Sequence, residues 1–158
     1  MLAGMLGDKA EIADVYRRNR PDCTPAQLLT AVFGDFVFRR KAIHMAERRA
    51  RSASAPTYMY VLAFETDVFE GRYGTPHILD LPLAFAHPEH PILGANLSRF
   101  TVSRQMTASW AAFARSGDPS NALLPTWPPY DEATRSAMYF DVPARVEGDP
   151  RPDERTAW

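Results

Sequence analysis

Four side chains able to bind protons or metals fall close together in this 158-residue chain: His77, Asp80, His87 and His90. His77 follows a loop punctuated by Gly71, Gly74 and Pro76, and that loop follows a long apolar run. In open α/β sheets, catalytic groups sit on loops at the carboxyl ends of strands. An imidazole placed there can act as general base near neutral pH, and the alternative is a loop histidine without a role. The H-x-x-H of His87 and His90 has a spacing that could chelate a metal. However, Pro88 and Pro91 hold both histidines in extended chain and no cysteine pair supports them. They read as solvated loop residues, so neither a metal nor a cofactor is expected.

Other chemistry-bearing residues read more plainly. Cys23 is the one cysteine, so it has no partner for an internal disulfide, and its P-D-C-T-P setting does not suggest a nucleophile. The cations Arg39, Arg40, Lys41, Arg48, Arg49 and Arg51 alternate with apolar positions and carry no recognition motif. They are expected to form a solvated helix face, not a nucleic-acid site. A net charge of -1 gives no overall attraction to nucleic acid or to an anionic membrane. With 46% hydrophobic and 23% charged residues the composition is globular. No apolar run approaches the roughly 18 to 20 residues that span a bilayer. Trp110, Phe113, Trp127 and Tyr130 read as core and anchor residues, although an acyl pocket would use the same types.

The elements that must position His77 follow from local patterns. A first helix is expected over Asp8 to Arg18, with Ile12, Val15 and Tyr16 on one face. Thr24, Pro25 and Gln27 make a T-x-x-Q capping box with proline at the first helical position, opening a second helix with Leu28, Leu29, Val32 and Phe33 on its apolar side. Gly34 is expected to end it and Asp35 to cap a third helix to Arg51, its inner face Phe36, Ile43, Ala46 and Ala50. Pro56 to Phe64 is the strongest strand, apolar on both alternating faces, and therefore belongs inside a covered sheet. No second strand of that kind stands out, so its partners are expected elsewhere. Leu79 to Phe85 is a short apolar element. A long helix from Asn96 to Ser116 buries Val102, Met106, Trp110 and Phe113, and Gly117 stops it. Trp127 to Tyr130 is a turn with two anchors, and Met138 to Asp141 a short closing strand.

Five blocks in this order carry a resemblance. They are G-D-F-V-F-R from Gly34, A-P-T-Y-M-Y-V-L-A-F ending at Phe64, G-T-P-H-I-L-D-L-P-L-A-F from Gly74, W-A-A-F-A-R-S-G-D-P from Trp110 and W-P-P-Y-D from Trp127. Together they resemble the C-terminal portion of the type-B carboxylesterases, relatives of the cholinesterases, with Asp80 standing where that family more often has Glu. The resemblance implies an α/β-hydrolase fragment over 1–142, mostly helices around the last core strand, while the Pro-, Asp-, Glu- and Arg-rich stretch 143–158 reads from its composition as a loosely ordered tail. The resemblance implies His77 as the base of a serine triad acting on a small-molecule carboxylic ester without a cofactor. No G-x-S-x-G occurs in the chain, and the family's acid motif is absent. The nucleophile and acid are therefore expected before Met1, where the apolar Met1 to Gly7 reads as sequence continuing from a domain already begun. The chain alone should be inactive and prone to aggregate. It would work with an N-terminal complementing fragment or serve as a non-catalytic interaction module.

Overall fold

The capping box forms as written. The Thr24 backbone N–H donates to Gln27 Oε1 at 2.9 Å and the Gln27 N–H to Thr24 Oγ1 at 3.3 Å. In the computed structural model, which describes residues 7, 11–52 and 54–158, this cap opens α2 (Pro25–Gly34). It follows α1 (Ile12–Asn19), which buries Ile12, Ala13 and Tyr16. The expected first turn of that helix, residues 8–10, and the apolar residues 1–6 lie outside the described residues.

Gly34 is the last residue of α2 but does not break the helical course of the chain. It takes ordinary right-handed helical angles, and the chain continues through a π-helical turn, Asp35–Arg39, into α3 (Arg40–Ser52). The reason lies in Asp35. Its buried carboxylate accepts from the Tyr16 hydroxyl at 2.6 Å and from Arg39 at 2.7 Å, so it is not free to cap a new helix. The extra residue of a π turn is a common adjustment around such a constraint. Of the inner face expected for this stretch only Ala46 is buried, while Phe36 and Ala50 are exposed.

The strand expected over Pro56 to Phe64 is regular only at β1 (Tyr60–Leu62), and it is half-buried. The larger correction is β2 (Ala137–Phe140). All four of its residues are buried, so the chain does contain a second strand covered on both faces. The short closing strand expected over Met138 to Asp141 is this strand, shifted by one residue, and only its burial on both faces is unforeseen, because a four-residue run shows no period and its cover comes from partners far away in sequence. β2 is central. It pairs in parallel with β1, Tyr60 opposite Met138, and antiparallel with β3 (Arg145–Glu147).

Against this sheet packs a core built from α4 (Asp80–Ala84) and α5 (Ser98–Ser116). Leu79, Leu83, Val102 and Met106 are fully buried there. The Ser103 and Thr107 hydroxyls donate to the Leu83 carbonyl at 2.9 and 3.2 Å, satisfying an acceptor that the end of a helix leaves open. Gly117 ends α5 in the left-handed conformation, its N–H on the Phe113 carbonyl at 2.8 Å. Trp127 and Tyr130 are both buried anchors.

The expected loose tail over 143–158 instead contains β3 and α6 (Pro152–Thr156). Glu154 on α6 is wholly buried, paired with Arg20 and accepting from Asn19 at 3.2 Å. A charged segment is held because its charge has a specific partner. The chain forms two compact units: the residues up to Met45 with Arg151–Trp158, and Ala46–Pro150. His77 belongs to the second.

Candidate functional site

His77 lies on the turn between the loop that follows β1 and the start of α4. The segment is fixed on both sides. Upstream, Thr75 Oγ1 donates to the Phe64 carbonyl at 2.8 Å, and the Thr66 N–H to the Gly74 carbonyl at 3.0 Å. Downstream, the Leu79 N–H reaches the Pro76 carbonyl at 3.2 Å, and the Leu79 side chain is wholly buried. One residue further, Asp80 Oδ2 accepts from the Tyr60 hydroxyl on β1 at 2.8 Å. His77 itself remains exposed.

Backbone strain marks the same spot. Ile78, the next residue, has φ of 72°, a left-handed conformation that a β-branched side chain adopts only when its surroundings impose it. Buried Leu79 and the Tyr60–Asp80 bond are those surroundings. They let the chain turn sharply right after the histidine.

The loop before the histidine is stitched to the segment before α5. Asp67 Oδ1 accepts from the Ala95 N–H at 2.8 Å, and Thr66 Oγ1 donates to the Ile92 carbonyl at 2.8 Å. Gly94 makes this approach possible, since a Cβ there would lie 1.7 Å from Asp67 Oδ1. Further along the loop, Phe69 and Glu70 both have positive φ, and the exposed Phe69 ring meets Tyr73 edge-on at 5.9 Å.

The Tyr60 hydroxyl has its pKa raised well above the usual phenol value, first by burial and then by the bond to Asp80. It therefore stays a proton donor, which is what the Asp80 carboxylate requires. The sequence pattern puts Tyr60 on one face of a strand and gives no sign of its bond to Asp80. The available signal was an acidic residue at the first position of an apolar element directly after a candidate base.

Around the other candidates the geometry is local. His87 and His90 are exposed, and His90 Nδ1 accepts from the Ile92 N–H at 3.3 Å, capping the 3-10 turn Pro91–Leu93. Among the described residues no group of three His, Cys, Asp or Glu converges to hold a metal ion. Cys23 is half-buried in the first unit. No helix among the described residues is long and apolar enough to cross a membrane.

Comparison with known proteins places this geometry in context. The family model of the carboxylesterase family matches residues 9–158, a span that includes the segment expected to be a tail. The chain is 35% identical over 107 residues to bile salt-activated lipase of Rattus norvegicus, covering 65% of this chain and 17% of the lipase. It is 27% identical over 140 residues to phenmedipham hydrolase of Pseudarthrobacter oxydans, covering 78% of this chain and 26% of that protein. Among solved structures it resembles the Geobacillus stearothermophilus carboxylesterase EST55, with a TM-score of 0.77 and 31% identity over 94% of this chain and 31% of that one. A thermophilic pNB esterase superposes with a TM-score of 0.75 at 26% identity, over 99% of this chain and 32% of that one. The chain thus spans about a third of the solved esterases it matches, and its architecture is that of a portion of the α/β-hydrolase fold.

Proposed function

The chain belongs to the carboxylesterase family, and from that premise we propose that it is the C-terminal portion of a serine ester hydrolase in which His77 is the triad base. The chain carries no G-x-S-x-G, so in this reading the serine and the acid come from polypeptide outside this sequence. That polypeptide is either joined upstream or supplied as a complementing N-terminal fragment. The substrate is a small-molecule carboxylic ester, and no cofactor is needed.

The observation that supports the reading is an exposed imidazole on a turn fixed on both sides. Thr75 ties the turn to Phe64 just beyond β1, buried Leu79 ties it to the core, and Asp80 ties it to Tyr60. A base that must meet a hydroxyl from another segment has to be presented outward and held in place, because small misplacements lose much of the rate. His77 would take the serine proton as the hydroxyl attacks the ester carbonyl, then return it to the departing alkoxide. Water would repeat the cycle on the acyl-enzyme.

The test joins this chain in frame to the upstream part of a carboxylesterase, replacing the matched third, and follows p-nitrophenyl acetate hydrolysis. The joined protein should turn over, and the isolated chain should not. His77→Gln should lower kcat by roughly 10⁴-fold or more with an unchanged circular dichroism spectrum. Full activity in the His77→Gln form, or turnover by the isolated chain, would sink the assignment.

A further inference from the structure

The apolar stripe of α5 is not buried along its whole length. Val102 and Met106 are sealed, but Trp110 is half-exposed and Phe113 is 48% exposed. The cause is a cavity of about 380 Å³ where this end of α5 faces the residues entering β1. Its walls are aromatic. Tyr58 stands edge-on to Phe113 at 6.2 Å and to Trp127 at 6.0 Å, and Tyr60 stands edge-on to Trp110 at 5.2 Å. A volume of this size lies in the range of small-molecule sites, roughly 300 to 1,000 Å³.

Two polar features single out a ligand class. Trp127 lines the cavity and is 4% exposed, yet its indole N–H is buried without an acceptor among the described residues. A buried donor left unpaired is costly, and it is relieved by anything that brings an acceptor. Arg49 also lines the cavity, is exposed, and has no ion-pair partner among the described residues. A carboxylate is a pure acceptor and an anion, so it answers both features. The aromatic walls favour a flat apolar body, which packs against ring faces and edges.

We propose that this cavity is a binding site for a flat apolar carboxylate, separate from the candidate catalytic turn. It opens beside the residues leading into β1, whereas His77 follows the strand's other end. Tyr60 belongs to both places, with its ring in the cavity wall and its hydroxyl on Asp80. The proposal does not rest on the ester-hydrolysis reading, and either can fail without the other.

The experiment is an indole ¹⁵N–¹H titration of the full chain, in which the Trp127 resonance is assigned by its loss in Trp127→Phe. 2-Naphthoate should move that resonance to saturation, and neutral 2-naphthylmethanol should bind about three- to fivefold more weakly. Arg49→Gln should weaken 2-naphthoate by the same factor and leave the alcohol unchanged. A Trp127 resonance that does not move, equal binding of acid and alcohol, or indifference to Arg49→Gln would each overturn the proposal. A spectrum without dispersed indole resonances would overturn it too, since the cavity exists only in the folded chain.

Discussion

The Tyr60 hydroxyl donates to Asp80 across 2.8 Å while its ring packs against Trp110 and Phe140. This arrangement sets how the second unit responds to alkali. Burial, then the bond to Asp80, raises the phenol above its ordinary pKa. A group raised in the folded state contributes stability that is fully present below its unfolded value, about 10 for tyrosine, and is lost as pH climbs through the folded value. Tyr16 is raised in the same direction in the first unit, by burial and then by its bond to Asp35. Urea melts between about pH 8 and 11 should therefore show falling stability at the alkaline end, with a shallower fall in Tyr60→Phe. Parallel profiles for the two proteins would show that folding does not raise the Tyr60 pKa. At this scale the sequence offers His77 as a candidate base, but it cannot reveal the Tyr60–Asp80 contact. A hydrogen bond between residues twenty positions apart depends on how a strand and a helix start meet, not on any local pattern.

At the scale of elements, signals confined to a few neighbours were legible. The Thr24–Gln27 box, the Gly117 stop and the buried start of the α5 stripe all form as their local chemistry dictates. What failed were judgements settled by distant residues. Gly34 has the type of a helix terminator, yet the helical course runs on past it through Asp35, which is bonded to Tyr16. The composition of the C-terminal segment reads as a loosely held tail, yet Arg20 clasps Glu154 from 134 positions away. Burial pulls the Arg20 pKa down, but its bond and charge interaction with Glu154, together with the nearby Asp35 and Tyr16, leave it raised overall. Removing one member of such a pair strands the other, at a cost of roughly 3 to 5 kcal/mol for a buried pair. Because Arg20 is partly solvated, Glu154→Ala should fall at the lower end, about 3 kcal/mol, in a urea melt of the first unit. A loss below about 0.5 kcal/mol, the usual range for surface substitutions, would mean that α6 is not held by this pair.

For the chain as a whole, the balance of covered and uncovered apolar surface governs behaviour in solution. Phe69, Tyr73, Ile78, Leu81 and Phe85, close to His77 in sequence, are all exposed. Among the described residues β1 is also an edge strand of its sheet. Apolar patches and open strand edges both promote association. Light scattering behind a sizing column should show species larger than the 17.7 kDa monomer that grow with concentration. A single monomeric peak across a hundredfold range of concentration would contradict this. Adding the upstream part of a carboxylesterase in trans should reduce the association if the exposed surfaces are those that the rest of the fold covers.

The parallel pairing of β1 with β2 also has a consequence in time. Tyr60 sits opposite Met138, 78 positions later in the chain. At a synthesis rate of about 5 to 20 residues per second, β1 waits roughly 4 to 16 s between its own translation and that of its partner. Throughout that interval its apolar residues and backbone groups lack the neighbour that later covers them. The nascent chain is thus vulnerable at a definite stage, and slow codons between Phe64 and Ala137 would lengthen it.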